Sequence, residues 1–346
     1  MRVFVTGGTG HVGAHVVAAL LDEGHAVRVL ARRPERVPAA LEPLGWTSDD
    51  VEVVQGDVLD GSEALTSLMD GADAVLHAAN VYSLNQADAQ LMRDVNVDGT
   101  RAVLEAAVGR GLAPIVHVSS YVALLPCQGT MTSSTPTGSP EGPYLETKAD
   151  AERVALAFAD EGAEVVVTNP GVVFGPHDPN LGESTGILRS LLTDPVSAKT
   201  AGMIPIVDVR DLGVAHARIF ALDQPGRRYL LAGREVTTVE MGELVREITG
   251  RRLPMVPAPA PMLRVVGKLA DAAQRRGMDP GFSSMGLYAL MHGVPVEDRP
   301  EQEALGVRWR PVEDTLADTI AWLHDAGHLS TRHAGQVVGA RTAAAE

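Results

Sequence analysis

Arg2-Val3-Phe4-Val5-Thr6-Gly7-Gly8-Thr9-Gly10-His11-Val12-Gly13 is the stretch on which the fold turns. Arg2 to Thr6 is short, apolar and rich in β-branched residues, which predicts a buried strand. The strand breaks into glycines. After them Val12, Val16, Val17, Leu20 and Leu21 recur at helical spacing until Gly24 ends the helix. A second strand is predicted at 26–30. Strand, glycine-rich turn, helix and strand make a βαβ unit with a right-handed crossover. The glycines let the chain turn sharply, approach an anion with bare backbone, and seat the helix close to the sheet. The helix N-terminus then offers unpaired N–H groups to a pyrophosphate. The spacing reads two ways. Gly8, Gly10 and Gly13 satisfy G-x-G-x-x-G, while Thr6, Gly7, Gly10 and Gly13 satisfy T-G-x-x-G-x-x-G. Either way the turn, with Thr9, His11 and Val12 inside it, predicts a dinucleotide site.

The end of the second strand bears on which dinucleotide. A site for NAD usually places an acidic residue there for the ribose hydroxyls. Here the strand runs into Leu30-Ala31-Arg32-Arg33 with no carboxylate. Two guanidinium forks suit a 2′-phosphate, so NADP(H) is favoured and NAD(H) is the alternative.

The same rhythm continues downstream. Val51 to Val54 leads into Gly56-Asp57-Val58, and Ala72 to His77 into Ala78-Ala79-Asn80. A helix carrying Leu91 and Val95 reaches Asn96, and the strand Pro114 to Val118 ends in Ser119-Ser120. Strands alternating with helices predict an α/β fold, a doubly wound parallel sheet of Rossmann type with ligands at the carboxyl ends of its strands. Every motif falls at such an end or on the helix that follows.

Tyr144-Leu145-Glu146-Thr147-Lys148 supplies the chemistry. Residues four apart share a helix face, so phenol and ammonium can serve one site. A free tyrosine titrates near about 10, and a neighbouring ammonium is expected to lower that and make the hydroxyl a usable proton donor and acceptor.

In these residues the chain resembles the extended short-chain dehydrogenases/reductases, closest to the dihydroflavonol 4-reductase-like and NAD-dependent epimerase/dehydratase groups, over about 1–250. The resemblance implies that Asp57 and Val58 contact adenine, and that Ala78, Ala79 and Asn80 line the cofactor. It implies that Ser120, Tyr144 and Lys148 are the catalytic serine, tyrosine and lysine, with Asn96 holding a water for proton relay. Asn169 to Pro176 resembles the family's segment beside the nicotinamide, which adds Pro170, Gly171, Val172 and Val173 to the cofactor set. Ile206 to Asp211 resembles its strand-to-helix signature, in which Asp208 and Asp211 are structural.

Departures from the family pattern narrow the function. Sugar-nucleotide dehydratases carry a Thr-Asp-Glu run where this chain has Ser120-Tyr121-Val122, with no acid to protonate a leaving hydroxyl. Many sugar-nucleotide epimerases carry an arginine where Thr168 stands. The reading that leads is NADPH-dependent reduction of a ketone or aldehyde, or the reverse oxidation. An epimerase and a non-catalytic dinucleotide-binding regulator are the alternatives.

A net charge of −15 repels phosphate backbones and anionic lipid headgroups, which argues against nucleic-acid binding and a membrane-surface role, and no apolar run reaches the length that membrane insertion needs. A lone cysteine, Cys127, excludes an internal disulfide, and the opening residues lack a signal-peptide pattern. A cytoplasmic enzyme with a small-molecule partner, monomeric or homodimeric, is expected. His324 and His328 lack further ligands, so no metal is expected. The expected division is a dinucleotide domain at 1–175, rejoined by 203–235. A smaller C-terminal substrate-binding lobe takes 176–202 and 236–330, and a flexible tail takes 331–346. Tyr82, Tyr121 and His177, with Pro170, are expected to wall the substrate site. The polar stretch 130–142 is either a lid or a loose connection. Leu263, Val266, Leu269 and Ala270 trace an apolar stripe, read as a helix over the cleft.

Overall fold

The computed structural model describes residues 1–83, 85–194, 197–200, 202–274, 276, 278 and 283–337. The first half runs β1 (Arg2–Thr6), α1 (His11–Asp22), β2 (Ala26–Ala31), α2 (Val37–Leu41), β3 (Glu52–Gln55), α3 (Ser62–Leu68) and β4 (Ala74–His77). It continues with α4 (Ala89–Arg93), α5 (Gly99–Gly109), β5 (Ile115–Val118), α6 (Pro143–Asp160), β6 (Val165–Pro170) and β7 (Val172–Phe174). Then come α7 (Glu183–Thr193), β8 (Ser197–Lys199), β9 (Met203–Asp208), α8 (Val209–Ile219), β10 (Arg228–Leu231) and β11 (Arg234–Thr237). The chain closes with α9 (Thr238–Thr249), β12 (Met255–Pro257), α10 (Ala260–Gln274), α11 (Ser284–Met291), α12 (Arg299–Leu305), α13 (Val312–Asp325) and α14 (Thr331–Ala334).

Seven strands form one sheet in the order β10-β6-β5-β4-β1-β2-β3, every pairing parallel. The order reverses between β1 and β4, and the crevice at that reversal is where a doubly wound sheet binds its ligand. Alternation along β1 shows why the sheet needs helices on both faces. Val3 and Val5 enter one apolar cluster with Val16, Val17 and Leu212 from α1 and α8. Phe4 enters the other with Leu65, Leu104 and Ala155 from α3, α5 and α6. All three β1 side chains are fully buried, as strands covered on both faces require.

The glycine turn is as tight as its sequence predicts. Gly7 takes φ +76°, and a Cβ there would lie 2.5 Å from the Ala79 nitrogen. A Cβ on Gly13 would lie 2.1 Å from the Gly7 carbonyl oxygen, so α1 can start against the turn only as glycine.

Of the stretch 203–235, α8 packs against α1 and β10 joins the large sheet, while β9 pairs with β7 and β11 in a separate three-stranded sheet. Behind that small sheet Phe174, Leu188, Met241, Leu244, Leu316 and Ile320 form the lobe's core. Asp208 and Asp211 are structural: Asp208 pairs with Arg210, which reaches Asp318 on α13, and Asp211 pairs with Arg310.

Three expectations change. Residues 331–337 were expected in a flexible tail, yet α14 is helical, and Ala334 within it and Val337 beyond it are buried in the lobe core; 338–346 lie outside the described residues. The stretch 130–142 is neither lid nor loose connection. Met131 is buried and bridges to Val296, Gly138 N donates to Ala123 O at 2.8 Å, and Thr137 Oγ1 donates to Glu152 at 2.8 Å. On α10 the buried stripe is Leu263, Gly267 and Ala270, whereas Leu269 turns outward with Met262 and Val265. Among the described residues no helix is long and apolar enough to cross a membrane.

Candidate active site

Strand register assembles the floor of the site. Thr6 on β1 lies beside His77 on β4, and His77 beside His117 on β5. Thr6 Oγ1 and His77 Nδ1 are 2.7 Å apart, and His77 Nε2 and Thr100 Oγ1 are 2.9 Å apart. Ala79 N–H donates to Thr6 Oγ1, and Thr100 Oγ1 donates to the Asn96 carbonyl at 2.6 Å. One proton arrangement satisfies all of these: Thr6 donates to Nδ1, and Nε2–H donates to Thr100. Burial first, then the nearby Lys148 charge, lowers His77 to about 3, so the imidazole is neutral and structural.

The strand ends open into a cleft of about 1160 Å³. At one end lie Gly7, Thr9, Gly10, His11, Val12 and Gly13. Gly10 caps α1 without a side-chain acceptor, which leaves the first-turn N–H groups for an anion. Arg32, Arg33 and Arg36 line the neighbouring wall with Asp57 and Val58. Arg32 stands 3.9 Å from Asp57 and is two-thirds exposed, so that ion pair is weak. A loop from the smaller lobe crosses onto the turn: Asn180 Nδ2 donates to Thr9 O at 3.2 Å, and His11 Nε2 meets Pro176 O at 3.2 Å. A turn too tight for any Cβ at Gly13, bare helix N–H groups and three cations at the β2 end fit a dinucleotide.

The middle of the cleft holds Tyr144, Lys148 and Ser120, with Pro170, Gly171, Val172 and Val173 opposite, and Ala78, Ala79 and Asn80 beside them. Pro143 opens α6, placing Tyr144 in its first turn and Lys148 one turn on. Lys148 is buried, and its Nζ donates to Val118 O at 2.9 Å. Burial lowers it to about 8, against which the Glu152 carboxylate raises it. The Tyr144 ring stacks on Tyr82 with centroids 4.1 Å apart. Its phenol is pushed up from the ordinary value by burial and then by Tyr121, contrary to the expectation that Lys148 would lower it. Ser119 and Ser120 have separate tasks. Ser119 Oγ is buried and donates to Glu152 at 2.6 Å, whereas Ser120 Oγ, half-buried in the wall, only caps Val122 N at 3.4 Å.

Two predicted residues lie elsewhere. His177 does not line the cleft; at φ +62° its ring turns edge-on to Trp322, 6.3 Å away. Asn96 does not line it either. Its Oδ1 accepts from Val81 N at 2.7 Å, and its Nδ2 donates to Val81 O at 2.9 Å and Thr147 Oγ1 at 3.1 Å. The carboxamide therefore braces the segment after β4 against α6. Tyr82 and Tyr121 do line the cleft.

Sequence reasoning passed over Arg36 and Glu152. Arg36 follows Arg32 by four residues, in the turn after β2. Glu152 follows Lys148 by one helical turn, so the face carrying Tyr144 and Lys148 continues into it; that spacing was the available signal.

Comparison with known proteins agrees with this geometry. Residues 3–230 match the NAD dependent epimerase/dehydratase family model. Sterol demethylase protein B of Methylococcus capsulatus is 31% identical over 340 residues, covering 95% of this chain and 100% of that protein. The 4-hydroxy-2-methyl-3-oxo-4-farnesyl-3,4-dihydroquinoline-1-oxide ketoreductase of Stigmatella aurantiaca is 34% identical over 348 residues, covering 96% and 99%. The crystal structure of gox2253 superposes with a TM-score of 0.78 at 26% identity, covering 95% of this chain and 99% of that one. The chain belongs to the NAD dependent epimerase/dehydratase family, within the extended short-chain dehydrogenases/reductases, and is an NAD(P)-dependent oxidoreductase.

Proposed function

We propose that the protein reduces a ketone or aldehyde to the alcohol with NADPH. The observation that carries this reading is that Tyr144, Lys148 and Ser120 share a cleft wall with the dinucleotide end, and the phenol is held protonated. The dinucleotide, when bound, supplies hydride to the carbonyl carbon. Tyr144 gives its proton to the oxygen as alkoxide character develops there. Ser120 Oγ donates a hydrogen bond to the same oxygen. A phenol raised by burial keeps its proton through the neutral range, which is the starting state that reduction needs. The Lys148 ammonium binds the nicotinamide ribose; Val118 O accepts from its Nζ, and the Glu152 carboxylate favours its charged form. Arg32, Arg33 and Arg36 bind the 2′-phosphate by charge-assisted forks. The ketoreductase name of the Stigmatella relative supports the same reaction class.

Tyr144→Phe is expected to lower kcat by about 10²–10⁴-fold and leave NADPH binding unchanged. Parallel NADPH-oxidation assays and fluorescence titration check this, and retention of most activity would remove Tyr144 from its role. Arg32→Ala is expected to weaken NADPH about tenfold or more and NADH hardly at all. Equal losses in the two titrations would sink the 2′-phosphate assignment.

Lys148 titrates near about 8 in the folded protein and acts as the cation, so kcat/KM for reduction is expected to fall as pH rises through that value. Glu152 raises the lysine, so Glu152→Gln should move this alkaline limb to lower pH. A pH–rate profile identical to that of the parent enzyme would contradict the assignment.

A further inference from the structure

The cleft does not end at Tyr144. An arm runs on into the smaller lobe between α7, β9, α9, β12, α10 and α11. Leu191, Ile204, Met241, Met255, Leu263 and Leu290, one from each of those elements, line it. Such a surface gains free energy only from apolar area taken out of water. Met241, Met255, Met262 and Met285 all contribute, and unbranched thioethers fit an irregular hydrocarbon outline better than a rigid, hydrogen-bonded one.

The charges point the same way. Among the described residues, the cations lining the cleft are Arg32, Arg33 and Arg36 at the dinucleotide end and Lys148 beside Tyr144. The arm contributes none; its charged residues near α7 are Glu183 and Asp194. A nucleoside-diphosphate group placed there would bring negative charge to an apolar wall flanked by carboxylates. Buried charge without a partner costs several kcal/mol or more, so this arm rejects it. Its uncharged polar side chains are small hydroxyls, Ser184, Ser190, Ser197, Thr238 and Ser283, and Thr238 and Ser283 are already bonded to backbone. The lip is apolar as well: Ile187, Val256 and Met262 are 42%, 47% and 50% exposed. A hydrocarbon body longer than the arm therefore still meets apolar surface where it emerges.

We infer that the substrate is a bulky, uncharged lipophilic carbonyl compound whose hydrocarbon body fills this arm, and that sugar nucleotides are excluded. This rests on the reductase reading for its reacting group, though the arm's preference is measurable apart from turnover.

The test is a series of methyl ketones from 2-butanone to 2-decanone, with a nucleoside-diphosphate ketosugar alongside. NADPH oxidation is followed, and 2-decanone binding is measured by calorimetry at several temperatures. Each methylene is expected to raise kcat/KM about three- to four-fold, at least about 100-fold across the series, until the arm is full. Binding of 2-decanone should show a negative heat-capacity change. The half-exposed lip variants Ile187→Glu and Met262→Glu should flatten the chain-length dependence while circular dichroism confirms that they fold. A flat ketone series with the ketosugar preferred overturns the inference and leaves the reductase reading standing. Calorimetric binding of 2-decanone without NADPH oxidation by any carbonyl keeps the lipophilic arm and overturns the reductase reading. Absence of both turnover and binding overturns the inference.

Discussion

Everything at the centre of this site hangs on one buried carboxylate. Glu152 is fully excluded from solvent and takes four hydrogen bonds: from Ser119 Oγ at the end of β5, Asn169 Nδ2 on β6, Arg228 on β10, and Thr137 Oγ1 from the loop before α6. Three adjacent strand ends and the helix bearing Tyr144 and Lys148 are thereby fixed to one point. Asn169 Nδ2 also reaches Ser120 O at 3.0 Å, extending the tie to the backbone of the serine that lines the cleft. A buried ion pair of this kind adds little net stability over an apolar substitute. Removing one partner is nevertheless costly, about 3–5 kcal/mol, because the other charge stays behind. Its value lies in geometry: it holds the serine, tyrosine and lysine in one arrangement.

That anchoring also accounts for the division of labour between neighbours. Both serines line the cleft, but the Ser119 hydroxyl is committed to Glu152, which leaves the Ser120 hydroxyl as the less engaged of the two. Thr6, His77 and Thr100 form a saturated chain behind them. That chain is fully engaged, although both ring nitrogens of the buried His117 and Oδ1 of Asn169 have no hydrogen-bond partner among the described residues; Tyr144 and Lys148 are the titratable groups that face the ligand. Low dielectric then acts on them in opposite senses, raising the Tyr144 phenol and lowering the Lys148 ammonium. The pair is poised as a neutral acid beside a cation that can lose its charge in mildly alkaline solution.

The dinucleotide half was legible because its signals are local. A strand, Gly7, Gly10 and Gly13 at fixed spacing, and helical periodicity from Val12 to Leu21 each reflect a single backbone constraint, and the structure meets them at the φ of Gly7 and the approach of Gly13 to Gly7. The smaller lobe was legible only in part. Its strands are three to six residues long and pair across long sequence gaps, as β9 with β7 and β11, so no nearby pattern announces them. His177 was placed by adjacency to a motif and Asn96 by the family resemblance. Side-chain direction decided otherwise: a left-handed backbone turns His177 onto Trp322, and Val81 claims Asn96. The tail misled because no apolar periodicity marks it, while Ala334 and Val337 gain burial from residues as far as about 150 positions back in sequence, Leu188 among them.

The central claim is that hydride passes from NADPH to a carbonyl carbon in this cleft. The most direct measurement is to supply NADPH carrying deuterium on one face of nicotinamide C4 and to examine the product alcohol by mass spectrometry and NMR. The account predicts one deuterium on the carbinol carbon, transferred from one face of the nicotinamide only. A product left unlabelled by cofactor deuterated on either face in turn, or a substrate inverted at carbon with the cofactor's redox state unchanged, would contradict it.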